Sequence, residues 1–187
     1  RTLTPDHLVI TNGTEPVAIA GVMGGANSEV KSDTTTVIIE AAYFKGSTVR
    51  KASKDHGLRS EASARFEKGV DPARVREAGE RAAQLMAEYA GGTILEGSVE
   101  YNDMKVEPAV ISITLNKING LLGTSMSVSE VQDIFTRLQF DVAVEGENFT
   151  VTIPTRRGDI TIEADLVEEA ARLYGYDNIP ATLPTGT

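Results

Sequence analysis

Two short β-type runs, Leu8-Val9-Ile10 and Val17-Ala18-Ile19-Ala20, flank Asn12-Gly13, a dipeptide suited to the positive φ of a tight hairpin turn. A glycine-rich loop follows, Gly21-Val22-Met23-Gly24-Gly25-Ala26-Asn27-Ser28. Next comes Thr36-Val37-Ile38-Ile39-Glu40-Ala41-Ala42-Tyr43-Phe44, apolar almost throughout, which predicts a strand buried on both faces. Asp71 before Pro72 predicts a helix start, a capping side chain followed by proline at the first helical position. Val75, Ala78, Ala82, Leu85, Met86 and Tyr89 then recur at helical spacing on one face, and Gly91-Gly92 ends the helix.

Residues 96–108 are mixed and polar, with Gly97 and Pro108, and read as a connection between a domain over 1–95 and another over 109–187. In the second domain Ser127 and Glu130 form a capping box ahead of a helix whose apolar face is Val131, Ile134, Phe135 and Leu138. Residues 141–144 and 149–153 alternate as strands about the turn Gly146-Glu147-Asn148. A last helix carries Leu166, Ala170 and Leu173 on one side and stops at Gly175. Helix, hairpin and helix outline a small winged-helix-like domain. The predicted class is α+β, with two domains of mixed composition and no internal repeat.

Charge changes this picture in one place. The chain is acidic, net −9, and residues 109–187 hold 5 Lys and Arg against 11 Asp and Glu. Such a balance disfavours non-specific nucleic-acid binding, which needs clustered cations. Residues 45–81 run the other way, with ten basic side chains against six acidic. That window reads either as a solvated face or as a neighbour of a phosphate backbone. With no cysteine and only His7 and His56, disulfides, thiolate metal sites and histidine-rich zinc sites are excluded. No apolar run reaches ~18 residues, so a cytoplasmic protein with no membrane partner is expected. The chain begins at Arg1 rather than Met and reads as a piece of something longer.

Three groups of residues are candidates for chemistry. Glu40 is a lone carboxylate in an apolar run, and burying it costs free energy unless something hydrogen-bonds it. It reads either as a partner of a backbone amide or a nearby arginine, or as a carboxylate recognising a polar group on a ligand. The glycine loop, residues 21–25, allows close backbone approach but lacks phosphate-loop spacing. Asp159, Asp165, Glu168 and Glu169 are a third group, the last three sharing roughly one helix face. Oxygen ligands of this kind suit Mg²⁺, while acids in a first helical turn are also favoured by the helix dipole alone.

Several separated segments then match one pattern. Gly21-Val22-Met23-Gly24-Gly25, Ile38-Ile39-Glu40-Ala41-Ala42-Tyr43-Phe44, the stretch His56-Gly57-Leu58-Arg59-Ser60-Glu61-Ala62-Ser63-Ala64-Arg65-Phe66-Glu67-Lys68-Gly69-Val70-Asp71-Pro72, and Arg157-Gly158-Asp159 through Asp165-Leu166-Val167-Glu168-Glu169 to Tyr176 resemble the β subunit of bacterial phenylalanyl-tRNA synthetases, in the right order and over essentially the whole chain. The resemblance implies the later part of a tRNA-editing domain over 1–95 and a winged-helix-like domain over 109–187. It implies hydrolysis of tyrosine wrongly attached to the tRNA for phenylalanine, within an ATP- and Mg²⁺-dependent ligase of two α and two β subunits. A hydrophobic synthetic site rejects an added hydroxyl by only ~10²-fold, so such an enzyme needs a second, hydrolytic site. Glu40 matches the family's phenol-recognising glutamate, and Gly24, Ser60 and Ala62 match positions lining the same pocket. The hydrolysis implied uses a positioned water, with Ser60 not assigned as a nucleophile and His56 expected at a cap or the surface. The family's pocket also uses a histidine from an earlier part of the domain, which nothing here matches. Asp159, Asp165, Glu168 and Glu169 match the positions that hold Mg²⁺ shared with the α subunit. The competing reading is a non-catalytic RNA- or protein-binding module that braces the α subunit.

Overall fold

The computed structural model describes residues 1–102 and 104–181. The chain divides into two units, Arg1–Met104 and Lys105–Thr187. Both combine helices with a small antiparallel sheet, the α+β class expected.

The first unit opens with a meander of β1 (Val9–Thr11), β2 (Pro16–Ile19) and β3 (Met23–Gly24), paired antiparallel in that order. Val9 sits opposite Ile19, and Ala18 opposite Gly24. The predicted turn is closed by Asn12, whose Oδ1 accepts from the amides of Thr14 and Glu15 at 3.0 Å each. Three helices follow: α1 (Gly46–His56), α2 (Glu61–Lys68) and α3 (Val75–Ala90). The core is small, Ala20, Val22, Phe44, Val49 and Ala52, with Phe66 leaning on Phe44 at a ring separation of 5.1 Å. Gly21 lies in the left-handed region at φ +67°, and a Cβ there would stand 3.0 Å from both Phe66 and Val49. Both its conformation and the lack of space require glycine.

The predicted buried strand over residues 36–44 does not form. The segment has no paired strand among the described residues, and Ile38 is 95% exposed. An apolar run becomes a strand only where a neighbour takes up its amides and carbonyls, and the sheet of this unit ends at β3. Of the run only Phe44 is buried in the core, with Ala42 packed against it. The helix that Asp71 starts does form. Asp71 Oδ1 accepts from the Ala73 amide at 3.0 Å, a 3₁₀ turn with Pro72 first leads into α3, and Gly91 takes the left-handed cap. Its expected apolar face, however, contains no fully buried residue, and Tyr89 is exposed.

The second unit holds the larger core. β4 (Ala109–Thr114) and β5 (Asp141–Glu145) flank β6 (Asn148–Ile153), all antiparallel. Helices α4 (Leu115–Leu122), α5 (Val128–Arg137) and α6 (Glu163–Tyr174) complete the unit. Phe135, Phe149, Ile118, Val131, Val151 and Leu166 are fully buried, with the Phe135 and Phe149 rings edge to face at 6.0 Å. Asn119 ties the end of α4 to the next loop: its side-chain oxygen accepts from Met126 N and Thr124 Oγ1, and its amide donates to Met126 O. The capping box forms as the sequence predicts, Ser127 Oγ accepting from Glu130 N and Glu130 Oε2 from Ser127 N. Strand β4 and helix α4 went unpredicted.

Candidate functional site

Glu40 lies on the extended segment of the first unit. With Ile39, Ala41 and Ala42 it forms one wall of an open groove of about 480 Å³, and α3 forms the other through Val75, Ala78 and Ala82. Gly79 makes the close approach possible, because a Cβ on it would come within 2.9 Å of the Ala41 methyl. Although Glu40 reaches the surface, the apolar walls remove enough water to push its carboxyl above the ordinary carboxylate range. Neither structural partner expected for it is present: among the described residues Glu40 has no hydrogen bond and no ion pair. Arg74 lines the same groove, but its guanidinium is turned to Glu77 at 3.1 Å.

Ser60 and Gly24 belong to a neighbouring part of the same unit. Ser60 is the N-cap of α2, its Oγ accepting from Ser63 N at 3.1 Å and donating to the Val22 carbonyl at 2.6 Å. That second bond fastens the start of α2 to the strand turn that leads to Gly24. Gly24 itself is exposed on β3, with open space where a Cβ would stand. Ala62 is exposed on the first turn of α2. None of Gly24, Ser60 and Ala62 lines the Glu40 groove. The Ser60 hydroxyl proton is committed to Val22 O, which leaves it poorly placed for nucleophilic attack.

Sequence reasoning did not connect the two histidines. His7 is buried, its Nε2 3.1 Å from Asp55 Oδ2, and its Nδ1 accepts from the Thr4 amide at 3.2 Å. That amide can only donate, so Nδ1 is the acceptor and Nε2–H donates to Asp55. His56 Nε2 also lies 3.1 Å from His7 Nδ1, with the rings 4.5 Å apart. Lys51 holds Asp55 from the other side at 3.0 Å. His56, expected at a cap or the surface, is thus half-buried in the last turn of α1.

In the second unit the four acids face different partners. Arg157 grips Asp159 through Nε and Nη2, at 2.9 and 2.7 Å, and reaches Glu169 through Nη1 at 3.1 Å. Arg172 closes on the same Glu169 oxygen at 2.6 Å. Glu169 is buried, and Arg157 first, then Arg172, hold its carboxyl below the usual range. Asp165 accepts from the amides of Thr161 and Ile162 at 2.7 and 2.9 Å, and those bonds lower its carboxyl. Glu168 is exposed. Among the described residues no three His, Asp or Glu side chains are arranged to hold a metal. As placed, then, the four acids do not fit Mg²⁺, which requires near-octahedral oxygen ligands; the oxygens of Asp159, Asp165 and Glu169 already serve guanidinium and amide donors, and Glu168 is turned to solvent.

The model of the B3/4 domain matches residues 1–91, and that of the tRNA synthetase B5 domain matches residues 111–176. Over all 187 residues the chain is 63% identical to the phenylalanine–tRNA ligase β subunit of Bacillus licheniformis. This chain belongs to the phenylalanine–tRNA ligase β-subunit family. The β subunits of Geobacillus kaustophilus and Bacillus subtilis are 62% and 60% identical, each over 184 residues or 98% of the chain. The chain spans 23% of the length of each of these β subunits. A crystal structure of an N-terminal fragment of the Pyrococcus horikoshii phenylalanyl-tRNA synthetase β subunit overlaps 40% of this chain and 21% of that one. The overlap has 22% sequence identity and a TM-score of 0.37. No helix among the described residues is long and apolar enough to cross a membrane.

Proposed function

We propose that this chain is the part of a phenylalanine–tRNA ligase β subunit that takes tyrosine off the tRNA for phenylalanine. The observation that carries the reading is Glu40, a carboxylate without a protein partner on the wall of an apolar groove. A phenol O–H brought to it supplies the missing donor, whereas a phenyl ring leaves the carboxylate unsatisfied. A site built to hydrogen-bond a substrate hydroxyl discriminates against the analogue lacking it by ~10⁴–10⁵. A raised carboxyl is also the stronger acceptor while it remains ionised.

The attack on the ester is assigned to water. Ser60 donates to Val22, and His7 and His56 face each other, so no serine–histidine pair stands ready. Ser60, Gly24 and Ala62 act by shaping the backbone around the strand turn and the start of α2. Formation of Phe-tRNA from ATP and phenylalanine is assigned to the α subunit, in a cytoplasmic assembly of two α and two β chains. The second unit, with 5 basic against 11 acidic residues over 109–187 and with Arg157 and Arg172 taken up by Asp159 and Glu169, suits a brace against that partner better than a nucleic-acid surface. Magnesium is not placed on the four acids as they stand, since Asp159, Glu169 and Asp165 are held by Arg157, Arg172 and the Thr161 and Ile162 amides. No step of the hydrolysis runs through it.

The test measures tyrosine release from Tyr-tRNA(Phe), with Phe-tRNA(Phe) as control, by the complete two-subunit enzyme and its Glu40→Ala variant. Selective release that disappears in the variant supports the reading. Equal release by both removes Glu40 from recognition.

A further inference from the structure

Of the ten cations in residues 45–81, the structure separates those with acidic partners from those without. Lys51 is held by Asp55 and Asp6, Arg65 by Glu61, Arg74 by Glu77, and Arg76 by Glu80 and Glu100. Arg81 leans on Gln84. Among the described residues Lys45, Arg50, Lys54, Arg59 and Lys68 have no carboxylate within reach, and all five are exposed; Lys45 precedes α1 and Lys68 ends α2, while Arg50, Lys54 and Arg59 follow one another from the middle of α1 to just past its end. Arg50 and Lys54 are one turn apart on α1, about 5–6 Å between Cβ atoms, on the side turned away from buried Val49, Ala52 and Ser53.

Arg59 is held near the end of the same helix by a clamp. Gly57 takes the left-handed cap, the Leu58 amide donates to Ser53 O at 2.9 Å, and Ser53 Oγ donates back to Leu58 O at 2.5 Å. Ser60, the next residue, is fixed as the cap of α2. The three cations therefore stand on a hydrogen-bonded frame and are uncompensated, in a chain of net charge −9 that has carboxylates to spare.

We propose that Arg50, Lys54 and Arg59 form a contact for RNA phosphates, steering the tRNA end toward the first unit. The inference rests on the editing reading for the identity of the RNA. Two of the three are arginines, whose planar guanidinium matches phosphate oxygens in pairs. A protein partner is less well suited. Interface centres are enriched in aromatic and apolar residues, and the exposed neighbours here are Ser47, Lys51, Asp55 and Gly57.

The experiment follows fluorescence anisotropy of labelled, uncharged tRNA(Phe) transcript against KCl concentration, using the 187-residue chain. An Arg50→Gln, Lys54→Gln, Arg59→Gln triple variant is compared with an Arg65→Gln, Arg74→Gln control, thermal melts verifying that both fold. Each phosphate contact contributes about 0.7–0.9 to the slope of log affinity against log salt. The triple variant is expected to lose about two to three units of slope, while the control keeps the parental slope. A parental slope in the triple variant overturns the proposal, as does an absence of RNA binding by the parent at low salt. So does loss of binding to polyglutamate with RNA binding intact, which marks an acidic protein as the partner. Binding is read without hydrolysis, so a complete enzyme that binds RNA normally yet releases no tyrosine from Tyr-tRNA(Phe) refutes the editing reading and leaves the phosphate contact standing.

Discussion

His56 Nε2 lies 3.1 Å from His7 Nδ1, and the same His7 nitrogen accepts the Thr4 amide. The contact joins the turn ahead of β1 to the end of α1.

Acid should loosen this corner through His56. His56 is held below the ordinary imidazole range, first by lost hydration and then by the positive potentials of His7 and Arg1, with Asp55 opposing. A lowered imidazole means that the unfolded chain binds more protons than the folded one between the two values. Stability from this group is then complete above about pH 6.5 and is lost as pH falls through the folded value. The melting temperature should drop between about pH 7.5 and 5.5, and His56→Gln should flatten that slope. Calorimetry at several pH values, with the imidazole proton signals followed by NMR, checks it; an unchanged slope in the variant rules the pair out as the cause.

Ser60→Ala should cost about 1–2 kcal/mol, the range for a lost helix cap, since the hydroxyl also reaches Val22 O. Ser60→Thr keeps an oxygen at the same place and should stay within about 0.5 kcal/mol of the parent. Urea denaturation measures both; equal losses in the two variants would show that shape, not the hydroxyl, matters there.

Glu169 stands between two guanidinium groups while itself buried, so Glu169→Ala leaves Arg157 and Arg172 facing each other. Breaking a buried pair costs about 3–5 kcal/mol, and the lower end applies because Arg172 keeps access to water. The lowered carboxyl adds a pH signature: its contribution is complete above about pH 4.5 and disappears as pH falls through the folded value. Parental stability in Glu169→Ala at neutral pH would contradict this account.

Gly46→Ala and Gly120→Ala should move stability in opposite directions. At Gly46 a Cβ would stand 2.7 Å from the Phe66 carbonyl oxygen and 3.0 Å from that of Glu67, backbone atoms that cannot yield without separating α1 from α2. Overpacking of this kind costs about 1–3 kcal/mol. Gly120, inside α4 with open space at its Cβ position, should gain about 0.5–1 kcal/mol from alanine. Thermal melts of the two variants decide it.

What the sequence made legible was whatever is settled within a few residues. Asp71-Pro72, Ser127 with Glu130, Asn12-Gly13 and the turn before Asn148 each carry their own hydrogen-bonding logic, and each appears where its residues predicted. The family was equally plain, because motifs such as residues 56–72 are read as identity, not as physics. The failure over residues 36–44 has the opposite cause: a strand is a relation between two segments, and apolar composition says nothing about whether a second one lies alongside. The same holds for His7 and Asp55, whose contact spans 48 positions in the chain. Helices α1 and α2 escaped notice because residues 46–68 are crowded with charge and have only a thin apolar stripe, Val49 and Ala52 with Phe66 behind them. For Glu40 the sequence showed that a carboxylate stood among apolar residues; that it would lack a protein partner was a three-dimensional fact.

Among the described residues the two cores differ threefold in membership, five buried apolar side chains around Phe44 against fifteen around Phe135. Local opening follows buried contact, so backbone amides of α2 should exchange with deuterated solvent well before those of β6. The half of the chain that holds Glu40 is thus the half that breathes. Whatever docks against the extended segment has a surface that can still adjust to it, while the other half offers a fixed shape from the start.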